Sequence, residues 1–303
     1  LAIAFFLRAL NLSELPRAFH IDEAGSIEFS IFNIFHPNMN WLTIHPLRTG
    51  QDSQAILYNY ILRASIELFG FTIAGARLPS VIAGTLSIAA VFLMVNETAG
   101  RKTAWLAAIL MAAYHYHIHW SRIALSNIWT TLLIPLTLGF FLRGLRKDND
   151  VGALLAGLCL GLSAYFYTGG YVVVLLVIFV FLQAWKNTDD HFHLAAYSGK
   201  MLAMAAVIAA PLIVFALVYP EHFFDRATVI YGWEPAALEA QMGPSASWWK
   251  YLAYQITHSF GAYNVYSDIT GFYDPRIPFL IGVSSVLFLI GIALSIWKKH
   301  FLP

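Results

Sequence analysis

The 303-residue chain is 59% hydrophobic and 12% charged, with a formal net charge of +1. Soluble domains carry about 25% charged residues, so this composition excludes an ordinary water-soluble fold. The near-zero net charge also excludes a nucleic-acid binder that works through bulk positive charge. The single cysteine, Cys159, lies in an apolar run, so no intrachain disulfide can form. The chain opens at Leu1 inside an apolar stretch and stops just past another, and it reads as a fragment of a longer protein.

A membrane-crossing helix needs about 20 mostly apolar residues. In chain order the runs approaching this are 1–12, 73–95, 103–119, 125–142, 151–166, 170–185, 201–219 and 278–297. A turn of Tyr, Thr and two Gly joins the fifth and sixth, which can form a buried hairpin instead of two crossings. Basic residues follow the even-numbered runs: Arg101 and Lys102, then Arg143, Arg146 and Lys147, then Lys186, then Lys298 and Lys299. By the positive-inside tendency those ends face the cytoplasm. Segments 15–71 and 220–276 then lie outside as two long loops, and with them most of the carboxylates.

Neither loop is a low-complexity spacer. Ile27, Ile31, Ile34 and Phe35 fall at helical spacing, as do Ile56, Tyr60, Ile61, Ala64 and Leu68. Both loops read as carrying amphipathic helices in the outer interface. The second loop is crowded with aromatics such as Trp233, Trp248, Trp249, Tyr254, Phe260 and Tyr266. These fit either an aromatic belt or a surface for stacking carbohydrate or guiding lipid.

The pair Asp22-Glu23 stands out for chemistry. One reading makes Asp22 the cap of a helix beginning at Glu23. The other adds a role as general base, because a carboxylate held at a helix start beside the membrane can take a proton from a hydroxyl. Arg8, Arg77, Arg122 and Arg226 sit at membrane boundaries on the acidic side. They are either snorkelling side chains or ligands for phosphate oxygens, which suit the planar guanidinium fork. His115 and His119 share a helix face and supply half of a zinc site, with no cysteine to complete it; a divalent metal is left open and no other cofactor is expected.

The string Phe19-His20-Ile21-Asp22-Glu23-Ala24 resembles the Asp-Glu signature of the protein O-mannosyltransferase and aminoarabinose-transferase superfamily, polytopic glycosyltransferases of the GT-C fold. His45-Pro46-Leu47 looks like their His-Pro-Pro-Leu element with one proline missing. Residues 76–86, from Ala76-Arg77-Leu78-Pro79-Ser80 to Gly84-Thr85-Leu86, closely resemble the opening of their second span. Ser121-Arg122-Ile123-Ala124 and Ser163-Ala164-Tyr165-Phe166-Tyr167 are similar to later elements.

The resemblance implies a single all-α, GT-C-like transmembrane domain over 1–303, with multiple passes through the cell membrane. It further implies transfer of a sugar from a polyprenyl-phosphate carrier to a hydroxyl on protein, lipid or glycan, with inversion, at an extracytoplasmic site. Asp22 matches the base, and Glu23 orients it or binds donor or cofactor. Arg77, then Arg8, Arg122 and Arg226, would meet the phosphate, and His20, His45, Tyr165 and Tyr167 the acceptor or sugar. A transporter or channel is the competing class. Span interiors nearly free of charge and the absence of an internal repeat speak for interfacial chemistry instead. A non-catalytic assembly subunit would be expected to lack the Asp-Glu pair.

Overall fold

A computed structural model of the chain describes residues 1–17, 19–33, 47–49, 52–54, 56–218, 220, 239, 242–244, 247–267, 272–273 and 277–298. The protein is an all-α polytopic membrane protein, to which the described residues add one minimal hairpin, Leu47–Thr49 paired with Asp52–Gln54. Two compact units divide the chain, Leu1–Val218 and Tyr219–Pro303.

In the first unit, helices α1 (Ala2–Ala9), α2 (Ile21–Glu28) and α3 (Ile56–Phe69) precede the long α4 (Ile73–Ala99). Gly100, at φ +81°, turns the chain into α5 (Arg101–Ala113), and α6 (His115–Trp120) follows. Then come α7 (Ile128–Lys147), α8 (Asp150–Ser163), α9 (Val172–Asn187) and α10 (His191–Val218). Among the described residues, four stretches are long and apolar enough to cross a bilayer: Ile73–Ala99, Ile128–Lys147, Thr168–Asn187 and His191–Val218.

Three apolar runs of the first unit do not become full-length helices. Run 1–12 contributes the eight residues of α1, and run 151–166 the 14 residues of α8. Run 103–119 breaks at Tyr114, whose extended backbone (φ −70°, ψ 114°) separates α5 from α6. Conversely, α10 starts ten residues before its apolar run, because the Asp190 carboxylate accepts the His193 amide at 2.9 Å and caps a polar first turn.

Helix α4 is the centre of this unit and packs against α1, α3, α5 and α7. Thr72 caps it, accepting from the Gly75 amide at 3.0 Å. Pro79 has no N–H for the Gly75 carbonyl, and Ser65 of α3 donates to that carbonyl at 2.6 Å. The break in the helix ladder thus becomes the docking point of α3. The buried face of α3 carries Tyr58, Asn59, Leu62, Ser65 and Ile66, whereas Leu68, on the apolar stripe read from the sequence, is 77% exposed. An interfacial helix can turn such a stripe towards lipid.

Close approaches use glycine. A Cβ on Gly84 would sit 2.1 Å from Ser121 Oγ, so α4 passes the Ser121 turn with no room for a methyl group. On α8, a Cβ at Gly157 would meet the Met201 carbonyl of α10 at 2.3 Å, in keeping with small residues at membrane helix contacts. Gly84→Ala is expected to destabilise the protein by about 1–3 kcal/mol. Gly199→Ala on the open face of α10 should be neutral or slightly stabilising. Thermal melting in detergent separates the two, and equal melting temperatures would contradict the close contact.

Polar groups gather at the two ends of the bundle. Arg77 and Glu97 lie on α4 about 30 Å apart at 1.5 Å per residue, close to the hydrocarbon thickness of a bilayer. At the Glu97 end are Arg146–Glu97 (3.7 Å), His193–Asp148 (2.8 Å) and Lys200–Asp150 (2.6 Å). At the Arg77 end, Arg8, Glu23, Arg77 and Arg122 are all buried.

In the second unit, Ser247 caps α11 (Trp248–Gly261), and α12 (Val283–Lys298) is a shorter apolar helix. The Phe279 and Leu280 amides donate to Ala262 and Tyr263, and Tyr263 stacks on Phe288 at 5.2 Å, joining the end of α11 to the start of α12. Trp249 and Phe260 are exposed on α11, and Trp233 lies outside the described residues.

Candidate active site

Helix α2 begins two residues earlier than expected, at Ile21, and its cap is His20. The His20 Nδ1 accepts the Asp22 amide at 3.1 Å. A ring nitrogen that accepts this bond carries no proton, so its 3.9 Å approach to Asp22 Oδ2 is not a charge pair. The expectation that Asp22 caps the helix is therefore corrected. Asp22 sits within the first turn, where the helix dipole favours an anion, and its side chain is 48% exposed.

Glu23 is the opposite case and is 0% exposed. Its Oε1 accepts from Arg77 Nε at 2.6 Å and from the Ala124 amide at 2.9 Å, and its Oε2 accepts from Arg77 Nη2 at 3.0 Å. Arg77, 1% exposed, also donates through Nη1 to the Leu12 and Pro16 carbonyls, both at 3.2 Å. The Phe19 ring lies 5.9 Å from this guanidinium. A fully paired, bidentate arrangement is what an ion pair needs to survive burial. It joins α2, α4 and the turn after α6 at one point, with Asp22 the adjacent residue.

The arginines expected to face a phosphate are turned inward. Arg77 holds Glu23. Arg8, 0% exposed, donates to the Ala4, Met111 and Ala112 carbonyls, to Ser121 and to His117 Nδ1. The break at Tyr114 interrupts the helical ladder at the end of α5, where the Met111 carbonyl accepts the Tyr114 amide at 3.3 Å and Arg8 donates to it and to the Ala112 carbonyl. Arg122 donates to the Leu7, Leu10, Asn11 and Leu15 carbonyls. The geometry departs from the expectation because buried backbone acceptors around α1 and its following turn take these donors. Arg226 and His45 lie outside the described residues.

Tyr165 is 4% exposed and donates to the Ile208 carbonyl at 2.8 Å, one turn ahead of Pro211 on α10, so it is a packing residue here. Tyr167 is 38% exposed at the Arg77 end of the bundle. For the two-histidine idea, no group of three His, Cys, Asp or Glu suited to a metal occurs among the described residues. The intervening His117 has Nδ1 on Arg8 at 2.9 Å and Nε2 on Ser87 at 3.0 Å. Since arginine only donates, Nδ1 accepts and the proton resides on Nε2.

A groove of about 370 Å³ runs between α2 and the start of α4, lined by Phe19, Ala24, Ile27, Glu28, Ile31, Phe32, Phe71, Thr72, Ile73 and Ala76. At 100° per residue, Asp22 falls on the other flank of α2 from Ala24, Ile27, Glu28 and Ile31. Sequence reading missed Tyr58, whose buried phenol has its pKa raised by burial and further by the charge of Glu23. It also missed the Ala124 amide, although its motif, Ser121-Arg122-Ile123-Ala124, was visible.

Residues 53–219 match the family model described as dolichyl-phosphate-mannose-protein mannosyltransferase. The chain belongs to this family. It is thus a membrane glycosyltransferase of the mannosyltransferase type, within the GT-C glycosyltransferase superfamily. Arg77, Arg122 and Tyr167 of this mannosyltransferase-type chain fall within the matched residues, and the Asp22-Glu23 pair precedes them. Neither a curated protein nor a solved structure gives a match.

Proposed function

We propose that the chain transfers a sugar from a polyprenyl-phosphate carrier to a hydroxyl acceptor on protein, lipid or glycan, at the extracytoplasmic face of the cell membrane. The observation that carries this reading is the division of labour in the Asp-Glu pair. Glu23 is locked by Arg77 and the Ala124 amide, and Asp22 stays accessible on the rigid platform this makes.

In this reading Asp22 takes the proton of the acceptor hydroxyl as that oxygen attacks the anomeric carbon. The bond from that carbon to the phosphate oxygen breaks, and polyprenyl phosphate leaves. Phosphate is already a good leaving group, so stabilising its developing charge suffices. Among the buried charges at the Arg77 end, Arg8, Arg77 and Arg122 outnumber the single carboxylate of Glu23, so the layer beneath Asp22 carries an excess of positive charge. Arg226, outside the described residues, stays a candidate phosphate ligand on the family resemblance alone. Tyr167, His20 and His45 remain the candidates for sugar or acceptor contact.

Reconstitution in sealed vesicles tests the proposal. The chain with Cys159→Ser and either Glu14→Cys or Lys147→Cys fixes orientation with an impermeant maleimide. Outward-labelled Glu14→Cys vesicles should consume polyprenyl-phosphate mannose when the acceptor is supplied outside. Consumption only with the acceptor inside would reverse the sidedness.

A further inference from the structure

The segment between α1 and α2 has no regular structure of its own, yet two arginines from distant parts of the chain hold its carbonyls. Arg122 reaches the Leu7 carbonyl at 2.9 Å, Asn11 at 3.3 Å and Leu15 at 3.2 Å, and it also holds Leu10. Arg77 takes the Leu12 and Pro16 carbonyls from the other side, each at 3.2 Å. Six backbone acceptors from Leu7 to Pro16 are thereby fixed by two guanidiniums, and the chain then runs to His20, the cap of α2. Asn11 sits in the left-handed region at φ +49°, which asparagine enters more readily than most non-glycine residues.

We infer that Arg122 is a positioning residue for the transfer reaction: by clamping the Leu7–Leu15 carbonyls it fixes the approach to α2 and so the place of Asp22. The inference rests on the proposed function for the role of Asp22, and on the geometry alone for the clamp. Arg122 is 7% exposed and its donors face carbonyls, so it does not offer its fork to a phosphate. Its pKa is lowered by burial and then by the neighbouring Arg77 charge, which marks the same desolvated setting. A planar five-donor group can serve acceptors spread over two turns; a lysine ammonium offers three donors from one point. Misplacing a base by about 1 Å can cost on the order of 100-fold in rate.

Arg122→Lys keeps the charge and loses the fork. The expected result is faster amide hydrogen exchange across residues 10–24, a kcat lowered about 10- to 100-fold, and a KM for polyprenyl-phosphate mannose within about twofold of wild type. Asn11→Gly, which leaves Arg122 in place and loosens only the clamped turn, should lower kcat in the same sense with an unchanged melting temperature. A raised donor KM with kcat intact in Arg122→Lys would make Arg122 a phosphate ligand and overturn the inference. Unchanged exchange across residues 10–24 would overturn the clamp itself. Normal kcat in both variants would reduce it to a purely structural feature. A wild-type chain inert towards every polyprenyl-phosphate sugar removes the transfer reading, and with it the reaction that Arg122 is said to serve. The exchange result in Arg122→Lys reports the clamp separately.

Discussion

Asp22→Asn is expected to lower the transfer rate by about 10²–10⁴, or about 3–5 kcal/mol of transition-state stabilisation. The asparagine keeps the shape of the side chain and removes the oxygen pair that accepts the proton. His20 supplies the helix cap and Asp22 is half exposed, so stability should change by no more than about 0.5 kcal/mol. Carrier binding should change little, since nothing in the proposed role involves the ground-state phosphate. Steady-state transfer assays paired with thermal melting read both quantities. A normal rate with an earlier melt would return Asp22 to the role of a helix-terminal charge.

Removing one half of the buried pair is expected to be the largest stability effect in the molecule. Glu23→Leu leaves Arg77 buried without its carboxylate, and Arg77→Met leaves Glu23 with only the Ala124 amide. Each should destabilise by about 3–5 kcal/mol, the cost of an uncompensated buried charge. The double variant Glu23→Leu with Arg77→Met removes both charges and should recover much of that loss, because apolar replacement of a buried pair is often neutral. Activity should stay low in all three, since the platform under Asp22 is gone. Chemical denaturation of the four proteins in detergent gives the coupling directly. Additive losses would mean that the two side chains do not act as a pair.

The membrane character was legible from composition, and α4, α7 and α10 from long uncharged runs, because lipid demands continuous apolar surface. What hydropathy could not show is where local hydrogen bonding overrides it. Asp190 starts α10 early, Tyr114 ends α5, and Arg8 then donates to the carbonyls at this break. The arginines were correctly singled out, but their partners are backbone carbonyls distant in sequence, which no residue pattern records. Arg122 and Leu7 are 115 positions apart. The motif of residues 76–86 proves to be largely architectural: Arg77 pairs with Glu23, Pro79 frees a carbonyl for Ser65, and Gly84 admits Ser121. The Asp-Glu pair was visible as a pair. That one carboxylate is buried and the other exposed follows from the helix phase of α2 against α4, which only the fold supplies.

The stereochemistry of transfer decides most directly whether Asp22 acts as a base. Asp22 acting as a base for an attacking hydroxyl means one displacement at the anomeric carbon, without a sugar bound covalently to the protein. The anomeric configuration of the product, read from the one-bond carbon–proton NMR coupling at the anomeric carbon after transfer from a polyprenyl-phosphate sugar of defined configuration, should be opposite to that of the donor. Retention would contradict it, since two displacements require a covalent glycosyl intermediate and make the carboxylate a nucleophile instead of a base.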